Sequence, residues 1–257
     1  MPSRRLPNSQ VTVLRTLTAA RDAWKRFPAE RLITATHWGK LDDSAPASLL
    51  NRFIKESGDV QTALAAQAPA TSAMAQAIDR LALHVSHFHQ VYDLGVTRGV
   101  LTPAGRAHYG RDLSAGSLPD LSTIPAILEA GAKIAPGETA RAAAGGAAHV
   151  PMALPSAAQV AAVHADAAAK RATAETAKLA TDTEQNQAAA LYPEAYALAV
   201  SILNTIEFNL SERPDLDGPG RRRIARAWGA VYINDDGTVS EEPALEGATP
   251  TPAPQPN

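Results

Sequence analysis

The sequence predicts an all-α protein, an elongated multi-helix bundle that closes with a short C-terminal β-strand or hairpin and a disordered tail. Three observations lead there. The 257 residues are 45% hydrophobic but only 5% aromatic, and alanine, the best helix former, supplies much of the apolar fraction. The longest segment that combines no proline with strong helical periodicity is residues 70–99. One short run, AVYIN at 230–234, is the good strand candidate.

The stretch 70–99 is the organising element. At about 100° per residue, Met74, Ile78, Leu81, Val85, Phe88 and Tyr92 share one narrow stripe. Leu83, His84, His87, Val91 and Leu94 form a second flank, which leaves a thin polar arc of Asp79, Ser86, Gln90 and Asp93. A helix apolar on two flanks is expected to be covered by neighbours on most sides.

Ahead of it, Asn8 or Ser9 caps a first helix to about Phe27, with Val13, Leu17, Ala20 and Trp24 on one face. Pro28 suits the first turn of a second helix carrying Leu32, Ile33 and Trp38, which Gly39 and the segment 42–46 interrupt. A third piece runs from Ala47 to about Ala68, and Pro69 separates it from the central helix.

Beyond Gly99 the texture changes. Residues 100–125 hold Pro103, Gly105, Gly110, Gly116, Pro119 and Pro125, which predicts an irregular connection with one helical turn near Pro103–His108. Connections of that length are functional or packed over the surface. Ser122 or Thr123 caps the next helix, and Gly131, Pro136, Gly137 and the Gly145–Gly146 pair predict breaks in it. Ser156 starts an alanine-rich helix to about Leu191 with few large apolar residues, and Pro193 kinks or restarts it. Tyr196, Ala199, Val200, Leu203, Ile206 and Leu210 then share a face. After the turn at 215–220, the short helix RRRIARAWG stops at Gly229, and Asp236–Gly237 turns AVYIN back onto Thr238–Val239. The expected organisation is N-terminal helices over 1–69 and a central bundle over 70–233, continuous with each other. Residues 241–257 form a Pro-rich tail that cannot bury apolar area.

Composition removes several function classes. With no cysteine, disulfides, zinc-thiolate sites and thiol catalysis are excluded. A net charge of −2 supplies no field for steering nucleic acid or anionic membranes. The N-terminal MPSRRLPNSQVTVLRTL lacks the apolar core of a signal peptide, and no run is long enough to span a bilayer, so a cytoplasmic location is expected. P-loop, G-x-G-x-x-G, G-x-S-x-G and H-E-x-x-H patterns are all missing.

Four stretches carry a likeness. SHFHQVYDLGVTRGVLTPAGRAHYG, then AAGGAA, LPSAAQV and IEFNL…RRRIARAWGAVY together resemble a family of uncharacterised bacterial helical proteins, over about residues 80–233. The resemblance implies a single all-helical unit and brings no functional residues with it.

Among chemistry-bearing residues, His84 and His87 stand three apart on one helix face and form a candidate metal pair, while His89 lies across the apolar stripe. Glu207, placed between Leu203 and Leu210, is the acidic side chain able to complete such a site. The Glu-x-x-His signature of di-iron bundles is absent, so the preferred reading makes the histidines packing residues. The same reading pairs Glu207 with Arg222, Arg223 or Arg226. The basic cluster Arg221–Arg226, with Trp228 its one aromatic neighbour, reads as a salt-bridged helix end. No catalytic or cofactor-binding residue emerges. The expected function is that of a non-enzymatic structural or protein-binding bundle, associating with itself as a homo-oligomer or with another protein. The under-anchored alanine-rich helix and the lone AVYIN edge are the grounds for it. A metal-binding bundle using His84, His87 and Glu207 is the alternative.

Overall fold

The computed structural model describes residues 2–112 and 118–240, and the expected tail at 241–257 lies outside them. Among the described residues the fold is all-α, with one small sheet. In chain order the elements are β1 (Ser3–Arg5), α1 (Gln10–Arg26), α2 (Ala35–Leu41), α3 (Leu49–Thr97), α4 (Ile124–Gly145), α5 (Ala157–Ser211), α6 (Gly218–Ala227) and β2 (Val231–Ile233). A 3-10 segment, Pro103–Tyr109, stands between α3 and α4. The chain divides into two compact units, one of Met1–Gln61 with Thr183–Asn257, the other of Thr62–Asp182. The first unit thus joins segments from both sides of the second in sequence.

In the first unit Ser9 caps α1 through a capping box with Thr12. Val13, Leu17 and Ala20 are fully buried in one core with Leu50, Phe53, Ile202, Leu203, Ile206 and Trp228. The second helix does not begin at Pro28. It begins at Ala35, where Thr34 and His37 form a reciprocal cap that Pro28 has no means to supply. Leu32 and Ile33 enter the core from non-helical backbone instead, and Asn209 Nδ2 donates to the Leu32 carbonyl at 2.8 Å. Trp38 from α2 stacks on Trp24 at 5.3 Å between centroids. The AVYIN edge is not alone. Val231–Ile233 pairs antiparallel with Ser3–Arg5, and Ile233 also bridges Val239 across the turn at Gly237.

Pro69, Pro136 and Pro193 each sit inside a continuous helix, against the expected breaks. A helical proline strands the carbonyl four residues back and crowds it with its ring. Those residues are Ala65, Ala132 and Ala189, and all three, like the prolines, are exposed. Water reaches the stranded carbonyl and the small side chain relieves the crowding, so the helix persists.

The alanine-rich α5 is also better anchored than its composition suggests. Val160, Ala167, Ala174, Thr181, Ala188, Ala195 and Ile202 are all buried, one residue in every seven. Seven-residue spacing puts these residues on one side of the helix.

In the second unit the stripe of 70–99 is buried as its periodicity predicts. Ile78, Leu81, Val85, Phe88 and Tyr92 are between 0 and 4% exposed, packed with Tyr109, Ile134, Met152 and Val160. The second flank is not covered, since Leu83 is 52% and Leu94 53% exposed. Thr123 caps α4, and Ser156 and Gln159 form a reciprocal cap at the start of α5. Gly131 and Gly137 do not break α4. They let neighbours approach it: a Cβ on Gly131 would lie 3.0 Å from a Leu81 methyl, and one on Gly137 would strike the His108 carbonyl. No helix among the described residues is long and apolar enough to cross a membrane.

Candidate functional site

The chemistry-bearing side chains of the second unit gather where the 3-10 segment lies against α3 and α4. Pro103 starts that segment and Gly110, with φ of 70°, ends it, which places Arg106 and Tyr109 on the helices and carries Arg111 behind them. Asp93 on α3 accepts from Arg106 Nε at 2.9 Å and from both terminal nitrogens of Arg111 at 3.1 and 2.8 Å. Glu138 on α4 accepts from the Tyr109 hydroxyl, from Arg141 at 2.7 and 3.0 Å, and from the Met152 amide at 3.2 Å. Arg141 also donates to Tyr109 Oη at 2.9 Å and to the Val150 carbonyl at 2.7 Å. His149 Nε2 stands 3.4 Å from the same carboxylate.

Burial works to raise both carboxyls, yet their arginine partners prevail and hold Asp93 and Glu138 below the ordinary range. Burial, then Glu138, pushes the Tyr109 hydroxyl upward, so it stays protonated and donates. Tyr92 completes the layer, its hydroxyl on the Thr102 carbonyl at 3.0 Å and its ring edge-on to Tyr109 at 5.4 Å. Apart from His149 Nδ1, which is buried without a partner among the described residues, these polar groups satisfy one another, which suits a clamp that holds the segment 102–111 to the helices.

One group in this region stands apart. His89 is 2% exposed, its Nδ1 is buried, and no hydrogen bond reaches either ring nitrogen among the described residues. Burial first, and the nearby Arg111 second, push its pKa down to about 4, so the ring is neutral near pH 7. An unpartnered buried polar group costs about 1–3 kcal/mol. His89 lines a cavity of about 410 Å³ with Tyr109, Arg111, Leu118, Ala130 and Lys133 among its walls.

A second, more apolar concavity of about 710 Å³ runs between α3 and the start of α5, within the second unit. Leu83, His84, His87, Val91 and Leu94 form one wall and Leu154 stands opposite, itself 72% exposed. No lining residue carries a carboxylate, an ammonium or a guanidinium. His84 Nδ1 donates to the Arg80 carbonyl at 2.8 Å, which leaves Nε2 as the acceptor of the neutral ring.

The structure thus brings His84 and His87 together on one wall. It gives Glu207 to Arg4 at 2.9 Å and to the Tyr232 hydroxyl at 3.1 Å, in the first unit. Arg4 is not one of the expected partners Arg222, Arg223 and Arg226. It comes from β1, and β1 is brought there by its pairing with β2. The sequence reading set His89 apart from the metal pair and passed over Tyr109, Glu138 and Arg141. Spacing held a partial signal, since Arg106–Tyr109 and Glu138–Arg141 are each three apart, one turn along their segment. Among the described residues, the group of three metal-capable side chains within reach of one another is Glu56, Asp59 and Glu184 in the first unit. Lys55 pairs with Asp59 at 2.6 Å and Glu56 at 3.4 Å there. No protein-family model, curated protein or solved structure matches the chain.

Proposed function

We propose that the protein is a non-enzymatic binding module that associates with a second copy of itself through the α3–α5 groove of the second unit. The sequence grounds for self-association have changed, because α5 buries its alanine seam and AVYIN pairs within one chain. The reading rests instead on the groove's uncovered apolar flank. His84, His87, Val91 and Leu94 are spaced 3, 4 and 3 apart, the spacing of a two-helix seam, and Leu83 and Leu94 are each about half exposed.

A second copy is the occupant because the surface is formally uncharged. Two identical patches meeting about a two-fold axis bring no like charges together, and a seam repeated at this spacing can face itself. A patch of this many side chains belongs with the smaller interfaces, those under about 1,200 Å² in total. A micromolar dissociation constant is expected.

Sedimentation equilibrium of the full chain from micromolar to sub-millimolar concentration tests this. A monomer–dimer equilibrium abolished by Leu83→Glu with Leu94→Glu supports the proposal. Monomer throughout, or a dimer indifferent to the double variant, overturns it. Circular dichroism of the variant identifies a loss that merely reflects unfolding, and Leu94→Gln then serves as the milder substitution.

A further inference from the structure

We propose that the cavity beside His89 is a binding site for a small uncharged molecule that presents one hydroxyl on a compact apolar frame, such as a phenol or cyclic alcohol, with the His89 imidazole as the hydroxyl's partner. This is separate from the α3–α5 groove and stands whether or not the chain dimerises.

Size comes first. About 410 Å³ lies within the range of pockets that enclose small ligands. Most of the lining is polar, and the Tyr109 ring, Leu118, Pro119, Ala126 and Ala130 give it one apolar side on which a compact frame can rest.

Charge comes second. Every charged side chain at the cavity is already engaged. Arg111 is bidentate on Asp93, Lys133 holds Glu129 at 2.6 Å, Asp120 accepts from the Ser122 amide at 2.8 Å, and Asp112 has its own partner. A charged ligand would have to compete with these pairs, whereas an uncharged one leaves them intact.

The polar partner comes third. Among the described lining residues, His89 is the deeply buried polar side chain with no hydrogen bond. A neutral imidazole has one nitrogen that donates and one that accepts, and nothing around His89 fixes which is which. Nδ1 is buried, so Nε2 is the nitrogen a ligand meets, and a hydroxyl donates to it or accepts from it whichever tautomer is present. A carbonyl or an ammonium suits only one of the two tautomers. The ring also needs no change of protonation to bind, being neutral at pH 7.

The test is a titration of the full-length, isotope-labelled protein with phenol at pH 7, followed by amide and imidazole nitrogen resonances. Benzene and benzoate serve as matched probes that lack the hydroxyl or add a charge. The expected result is saturable one-to-one binding of phenol that moves the His89 ring signals, with benzene and benzoate each about tenfold weaker or worse. His89→Phe keeps the ring volume and removes both nitrogens, and should weaken phenol about tenfold. Ala126→Leu fills the cavity from the surface of α4 and should abolish binding even if His89→Phe folds poorly. No saturable binding below about 10 mM, a weak affinity for a ligand this small, overturns the proposal. So do phenol binding unchanged by both variants and benzoate binding tighter than phenol.

Discussion

The backbone carbonyl of His108 rests directly on Gly137, where a side chain of any kind would collide with it. This contact seats the 3-10 segment on α4 and thereby sets the Tyr109 hydroxyl against Glu138. Gly137→Ala must displace backbone rather than the end of a flexible side chain, so a loss of about 1–3 kcal/mol is expected. Gly58 in α3 has open space where its Cβ would be, and Gly58→Ala should stabilise by up to about 1 kcal/mol. Urea unfolding of the two variants checks both signs. Equal effects would mean that the close approach carries no energy.

Glu138 and Arg141 expose only 14% and 10% of their side chains, so each depends on the other for its charge. Glu138→Gln leaves the guanidinium buried with half its compensation gone, and a loss of about 3–5 kcal/mol is expected. Glu138→Gln with Arg141→Met removes both charges and should recover part of that loss. The pH dependence follows from the lowered carboxyl. Its folded pKa lies below its unfolded one, so its contribution is complete above the unfolded value, about 4.3, and is lost as pH falls through the folded value. Acid unfolding of the wild type should therefore be steeper than that of the double variant.

His89 contributes a second and distinct acid dependence. Its folded pKa of about 4 lies below the usual 6.5, so the unfolded chain takes up the proton first. Stability should decline as pH falls from about 6.5 to about 4, by about 3 kcal/mol in all, and no further below that window. His89→Phe should flatten this part of the curve and leave the carboxylate-driven part at lower pH. A wild-type curve already flat between pH 6.5 and 4.5 would contradict the account.

Local chemistry made much of the fold legible. Capping residues Ser9, Thr123 and Ser156 and the stripe from Ile78 to Tyr92 are set by neighbours within a turn or two, and all are where the pattern puts them. What failed depends on distant contacts or on solvent. Three prolines looked like breaks because the pattern does not reveal that Ala65, Ala132 and Ala189 face water. Gly137 looked like a weak point because the segment lying on it comes from well before it in the chain. The flanks of the central helix show the same limit. His84 and His87 attracted notice by spacing, yet the flank that the 3-10 segment covers is that of His89, with the His89 and Tyr109 rings 6.1 Å apart. Periodicity identifies two flanks and does not say which one a neighbour will claim.

The pairing of β1 with β2 joins the two chain ends of the first unit, and Arg4 is its chemical expression. Arg4 donates to Asn204 Oδ1 at 2.6 Å and pairs with Glu207, which also accepts from Tyr232 on β2. Glu207 keeps 40% of its side chain exposed, so solvent screens the ion pair and Arg4→Met alone should cost only about 1 kcal/mol. Deleting residues 2–5 removes the ladder as well. Val231–Ile233 would then lose its antiparallel partner and Tyr232, now 7% exposed, would lose its cover. The deletion should therefore cost clearly more than Arg4→Met, and amide exchange at Val231 and Ile233 should speed up while exchange in Ile78–Tyr92 stays protected. If the deletion and the point variant unfold at the same urea concentration, the strand contributes nothing beyond its arginine.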